Sequence, residues 1–270
     1  MIGRITAIAL NTFREAIRNK VLYGILAVVI GANMFALVLG EMSLHEETRV
    51  ALDVGLAGVS WFGVFTAIVL GVSLLYGEVQ KKTVHNILSK PILRHEFVVG
   101  KYFGMAVTLT FLCACFAIAL AGLIAISQHM NPYKEISFNA TVTKALFLAY
   151  LQVLVVAAIA IFFSSFSASP FLSGVFTFAL YFVGTISTEV RVAVQNAKDA
   201  WIRRMGAALK LVPDLQVFTI SGGEVNGTHV SVHGHFVSWE YVGTAGAYAL
   251  AWIAVLLLLA ALIFRRRDFV

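Results

Sequence analysis

The chain has 270 residues, 60% of them hydrophobic and only 13% charged, with a formal net charge of +6. Ordinary soluble domains carry about 25% charged residues and about half apolar ones. A core this apolar cannot cover itself with polar surface, so a soluble helical domain is excluded and an integral membrane protein remains. The positive balance suits loops beside anionic lipid, and no Lys/Arg block interleaved with aromatics provides a nucleic-acid surface.

Residues 1–20 do not span. On a helical projection Ile2, Ile5, Ala9, Phe13, Ala16 and Ile17 share one side, and Arg4, Asn11, Arg14, Glu15 and Arg18 the other. That pattern predicts an amphipathic helix in the headgroup plane, its basic face toward lipid phosphates or a partner. The stretch is too long and too structured for the basic region of a cleavable signal.

A spanning helix needs about 20 apolar residues. Six segments meet or approach that length: residues 21–40, 56–76, 102–126, 145–163, 171–187 and 241–264, the fifth being the shortest. Unsatisfied backbone groups are costly in hydrocarbon, so each is expected to be a helix, and alternating polar-in strands for a barrel are absent. Gly100 and Gly104 form a small-xxx-small pair at the start of the third span, suited to close helix approach. Cys113 and Cys115, two apart inside that span, point to different sides and read as small packing residues. The Ser164–Pro170 stretch reads as a tight inner turn between the fourth and fifth spans.

Placing the N-terminus inside gives the cytoplasmic parts Arg4, Arg14, Arg18, Lys20, Lys81, Lys82, Lys90, Arg94, Lys101, Arg265, Arg266 and Arg267, twelve of the chain's twenty cations. The outer parts keep Arg49, Lys134, Lys144 and five more in residues 189–239, a segment long enough to escape the counting rule. The expected fold is all-α and membrane-integral: six transmembrane helices, an N-terminal interfacial helix, and both termini inside.

Two extramembrane segments remain. Residues 77–101, GEVQKKTVHNILSKPILRHEFVVGK, form the inner polar loop. Within it Val84, Ile87 and Leu88 share one helical side, flanked by Lys81, Lys82 and Lys90. An apolar knob with a basic rim suits docking into a protein groove, because apolar anchors supply affinity and rim charges orient. Glu78, at the membrane boundary, is expected to pair with a basic residue of the N-terminal helix or of this loop. Residues 189–239 form the outer segment. There Val194, Ala197, Trp201, Met205, Ala208 and Val212 recur at helical steps before Pro213, predicting an amphipathic helix at the outer leaflet. Ser221-Gly222-Gly223 and Asn226-Gly227 are turn signals around a short alternating stretch.

Catalytic constellations are thin. On a strand His229, His233 and His235 would share a face, but no cysteine or carboxylate completes a metal site, and they read as loop histidines. His45-Glu46-Glu47 lacks the second histidine of a zinc protease, no Gly-x-Ser-x-Gly elbow occurs, and no phosphate-binding Gly-x-x-x-x-Gly-Lys-Ser/Thr loop is present. The spans hold few midplane charges, Asn33 and Gln152 being the main polar groups. An ion-coupled carrier therefore lacks its usual carboxylates or cations, and a membrane assembly factor lacks a ligand set. These two stand as the rival readings.

Several pieces occur in a recognisable order. They are the opening helix ending Phe13-Arg-Glu-Ala-Ile-Arg-Asn-Lys20, Glu78 at the end of span two, Lys82-Thr83, the Ile87-Leu88-Ser89-Lys90-Pro91 turn, and Arg94 through Gly100-Lys101. Leu211-Val-Pro213-Asp-Leu215 and the Phe264-Arg-Arg-Arg-Asp-Phe269 ending follow. In that order the chain resembles a permease of the type 2 ATP-binding cassette (ABC) exporter class, the stand-alone six-span kind. It is similar to the permeases of nitrous-oxide reductase maturation and gliding-motility systems. Two lysines before Thr83, where glycine is more usual, are a departure. The resemblance implies a non-catalytic membrane subunit in the cytoplasmic membrane. A separate cytoplasmic ATPase would bind ATP and Mg and dock on the 77–101 loop through Glu78, Lys82, Thr83, Val84, Ile87, Leu88, Pro91 and Arg94. Arg4, Phe13, Arg14 and Arg18 of the interfacial helix would assist beside membrane lipid, and a second permease copy or paralogue would complete the path. No cofactor is expected in this chain.

Overall fold

A computed structural model of the protein describes residues 2–42, 47–80, 93–130, 140–167, 169–195, 211–218, 223–225, 228–230 and 237–266. Seven α-helices carry nearly all of it: α1 (Ile2–Ile17), α2 (Lys20–Met42), α3 (Glu47–Gln80), α4 (Arg94–Met130), α5 (Ala140–Phe166), α6 (Pro170–Gln195) and α7 (Trp239–Arg266). A 3-10 turn at Leu215–Phe218 and two three-residue strands complete the described elements. Helices α3 to α7 each contain a stretch long and apolar enough to cross a membrane, and α2 adds a shorter apolar run over Lys20–Ala32. The protein is therefore a multi-pass membrane protein.

The helix starts are set by local chemistry. Asn19 breaks the chain between α1 and α2, and its Oδ1 accepts from the Val21 amide at 3.0 Å. Ser169 precedes Pro170, the residue best suited to a first helical position, and its Oγ accepts from the Leu172 amide at 3.1 Å. Ser238 does the same for α7, accepting from Tyr241 at 3.2 Å.

Helix α5 is the axis of the bundle. Its apolar residues run round its whole circumference, which is the mark of a helix buried on every side. Accordingly Leu148, Val153, Val155, Val156 and Ile159 are all fully buried. It packs most extensively on α3 and α7 and also meets α4 and α6. Two glycines let α3 lie close: a Cβ on Gly63 would fall 2.7 Å from a Val153 methyl, and one on Gly71 would collide with the Ala160 methyl. Within this contact Ser60 Oγ donates to Gln152 Oε1 at 2.8 Å, and on the α4 side of α5 Tyr102 Oη donates to the Leu154 carbonyl at 3.3 Å. Ser164 and Ser173 meet at 2.7 Å across the α5–α6 turn. Hydrogen bonds of this kind join spanning helices because hydrocarbon offers no other partner.

Several helices run past the apolar segments read from the sequence, and two of these extensions border the 77–101 stretch. Helix α3 extends to Gln80 and α4 already begins at Arg94. The polar 77–101 stretch is thus shortened at both ends, because polar residues at a span's end can continue a helix without loss of hydrogen bonds. Of the aromatic residues of spans four and five, Phe162 and Phe163 pack at 5.2 Å with Phe166 and Phe176 beside them. Phe171, Phe178 and Phe182 instead lie on the outside of the bundle. Between α6 and α7, strands Gly223–Val225 and Thr228–Val230 pair antiparallel on either side of Asn226-Gly227, with Glu224 opposite His229.

Candidate functional site: the junction of the N-terminal helix and the fourth helix

Helix α4 starts with a cap made from its own side chain. Leu93 occupies the N-cap position, and its amide donates to Glu96 Oε2 at 3.2 Å, while the Phe97 amide donates to the Leu93 carbonyl. This is the carboxylate half of a capping box, placed where the positive end of the helix dipole also favours an acid. Glu96 is buried, 1% exposed, and its carboxylate lies 3.8 Å from the Arg4 guanidinium of α1. Five residues on, Lys101 is 2% exposed and reaches Glu15 of α1 at 3.4 Å. Its ammonium also lies 5.9 Å from the Phe97 ring centre, over the face that gives cation–π attraction.

Between these two charge contacts the helices touch backbone to backbone. A Cβ on Gly100 would lie 2.8 Å from the Ile8 side chain and 3.2 Å from the Ile5 carbonyl. On Gly104 it would lie 2.5 Å from the Ala9 carbonyl oxygen. The glycine pair read from the sequence thus accommodates α1. Positions rise together along both helices, Arg4 by Glu96 and Glu15 by Lys101, so α1 and α4 run in the same sense. Buried carboxylate and ammonium groups are costly without partners, and α1 supplies one for each.

The docked edge of α1 is not the centre of its apolar face. Ile8 and Thr12 meet the glycines, Thr12 and Ala16 are buried, and Leu10 stays 54% exposed. Phe13 and Leu10 line an apolar groove of about 600 Å³ with Ile5, Thr6, Ala9, Phe103 and Val107. Helix α1 therefore docks by a flank and leaves Leu10 on its apolar side exposed, as Arg14 and Arg18 are.

The C-terminal helix reaches the same place. Phe97 stacks on Phe264 with ring centres 5.8 Å apart, and Phe264 is buried. One hub at the root of α4 thus joins α1, α4 and the end of α7.

Of the residues singled out in the sequence, Arg4 and Phe13 enter this hub, and Arg14 and Arg18 sit at its edge. Glu78 lies in the last turn of α3 and Arg94 opens α4. Lys82, Thr83, Val84, Ile87, Leu88 and Pro91 lie outside the described residues, as do His233, His235 and Ala197, Trp201, Met205 and Ala208 of the expected helix before Pro213, whose Val194 falls in α6. Among the described residues no three His, Cys, Asp or Glu side chains converge for a metal. The sequence reading missed Glu15, Glu96 and Lys101 as a set. A capping signal at Glu96 was present, but leucine rather than serine or threonine stands three residues before it.

The opposite end is also tied. The Leu211–Phe218 stretch docks between α6 and α7: Gly184 admits the Pro213 carbonyl and Leu215, and the Asp214 amide donates to Tyr248 Oη at 2.7 Å. Asp214 pairs with Arg191 at 3.4 Å, and Tyr241 Oη donates to the Val217 carbonyl at 2.9 Å.

A family model described as ABC-2 family transporter protein matches residues 6–269, and the chain belongs to that family. No curated protein matches it. It is a membrane-spanning permease of an ABC transporter.

Proposed function

From this family membership we propose that the chain is the permease of an exporter, driven by a separate cytoplasmic ATPase that binds ATP and Mg. The ATPase docks on the 77–101 loop through Val84, Ile87 and Leu88, with Lys82, Thr83, Pro91, Arg94 and Glu78 around them. Both termini face the cytoplasm, the membrane is the cytoplasmic one, and a second permease copy or paralogue faces this one across the path. The observation that best supports the reading is the hub just downstream of that loop. Arg4–Glu96, Lys101–Glu15 and the two glycine contacts tie α1 to the root of α4. A displacement of the loop then moves an interfacial helix and a spanning helix as one body, which is what a chain without its own nucleotide site needs.

Co-purification tests it. A soluble ATPase should elute with the chain in fixed ratio, and replacing Val84, Ile87 and Leu88 by aspartate should remove it while the permease stays folded. Maleimide labelling of a cysteine placed at position 85 should occur from the cytoplasmic side. Labelling from outside, or ATP-independent uptake that collapses with the proton gradient, would sink the reading.

A further inference from the structure

A second groove lies on the other side of the hub, between the root of α4 and the end of α7. It encloses about 470 Å³ and is lined by Leu93, His95, Leu258, Ala261, Leu262 and Arg265. We propose that it holds one anionic phospholipid of the leaflet on the loop side, its phosphate between Arg265 and His95 and an acyl chain along Leu258, Ala261 and Leu262.

Three observations carry this. Leu258, Ala261 and Leu262 stand at i, i+3 and i+4 on α7, so they make a continuous apolar strip. Leu258 and Leu262 are 65% and 58% exposed within a helix that crosses the membrane, so hydrocarbon must cover them. The strip ends at the cationic side chain: Arg265 is seven residues beyond Leu258, about 10 Å along the helix, which is within one leaflet's depth of the headgroups. No acidic residue is among those that line the groove. The nearby acid, Glu96, turns away toward the Leu93 amide and Arg4. Arg266, Arg267 and Asp268 follow directly in sequence and leave the adjoining segment net positive. Basic pockets between spanning helices at the membrane surface suit anionic headgroups. The α1–α4 groove makes the contrast, since Thr6 is its one polar lining residue and no cation lines it.

The bound lipid would clasp α4 to α7 where Phe97 stacks on Phe264. The assignment rests on α4 and α7 crossing the membrane and not on ATPase docking, so a chain that binds no ATPase should still take up the lipid.

Native mass spectrometry of the delipidated full-length chain tests it, with phosphatidylglycerol and phosphatidylcholine of identical acyl chains added at equal concentration. One phosphatidylglycerol should be retained in preference. Arg265→Gln should lower that retention about fivefold, the loss of one cation near the surface, and Arg265→Lys should keep it. Equal retention of the two lipids by the wild type, or unchanged retention in Arg265→Gln, overturns the proposal. Should Arg265→Gln also lower the melting temperature in lipid-free detergent, Leu262→Trp decides, because it fills the groove and leaves Arg265 and His95 in place. Retention that survives Leu262→Trp overturns the proposal, as does a photo-cross-linker at Leu258 that captures a second copy of the chain in place of lipid.

Discussion

Gly104→Ala is the sharpest test of how α1 is held. The added methyl would lie 2.5 Å from the Ala9 carbonyl oxygen and 2.5 Å from Thr12 Cβ. Neither atom can rotate aside, since one is backbone and the other is fixed to it. Restoring ordinary contact requires α1 to withdraw by about 1 Å, which loses part of the dispersion along the whole seam. Overpacking of this kind costs about 1–3 kcal/mol. Alanine is the better helix former and returns up to about 1 kcal/mol. The net loss is then up to about 2 kcal/mol, a factor of up to roughly 30 in the docking equilibrium.

Thermal unfolding in detergent should show a melting temperature lower by a few degrees, and amide exchange across residues 5–16 should quicken by that factor while α5 stays protected. Gly58 provides the control, because a Cβ there would meet nothing within 4 Å. Gly58→Ala should leave the melting temperature unchanged or raise it. If Gly104→Ala melts like Gly58→Ala and α1 exchange is unaltered, α1 does not depend on the glycine seam.

Two further outcomes separate the remaining contributions. Glu96→Gln keeps an oxygen for the Leu93 amide and loses the charge facing Arg4, whose side chain is 50% exposed. A half-solvated pair of this sort is worth less than about 1 kcal/mol. Glu96→Ala loses the cap as well and should cost about 1 kcal/mol more in the same melts; equal costs would mean that the ion pair, not the cap, is the dominant contribution. In the bundle interior, Gln152→Leu removes the acceptor for Ser60. Unfolding in mixed micelles should show a loss of about 0.6 kcal/mol and not above about 1.7; a larger loss would assign Gln152 a role beyond joining α3 to α5.

The membrane class and five of the six expected spans were legible because burial in lipid demands long uniform runs, and such runs survive any detail of packing. Gly100 and Gly104 were legible as a seam but not its occupant, since spacing on one helix says nothing of which helix approaches. Helix α1 was readable as amphipathic from periodicity, yet its docking flank was not. Glu15 and Lys101 are 86 positions apart, and neither carries a local pattern that announces the other. The same holds for Phe97 and Phe264, joined only by the fold. The cap at Glu96 shows the converse: the signal was local, and a leucine at the N-cap position hid it.

The two helices that flank the proposed docking loop are fixed by the same device to different bodies. Helix α3 enters the loop from a glycine seam with the buried axis, Gly63 on Val153 and Gly71 on Ala160. Helix α4 leaves it through a glycine seam with the interfacial helix, Gly100 and Gly104 on α1. The first seam is buried on all sides, so moving it means repacking close-packed side chains. The second lies at the bundle's edge, where Arg4 and Glu15 of α1 are half-exposed. A force applied at the loop should therefore be resisted on the α3 side and yield on the α4 side. The expected motion is a swing of α1 and the root of α4 together, pivoting where α4 meets α5 at Tyr102 and the Leu154 carbonyl. Cross-linking α1 to α4 should leave that swing intact, whereas cross-linking the root of α4 to α3 should stop transport.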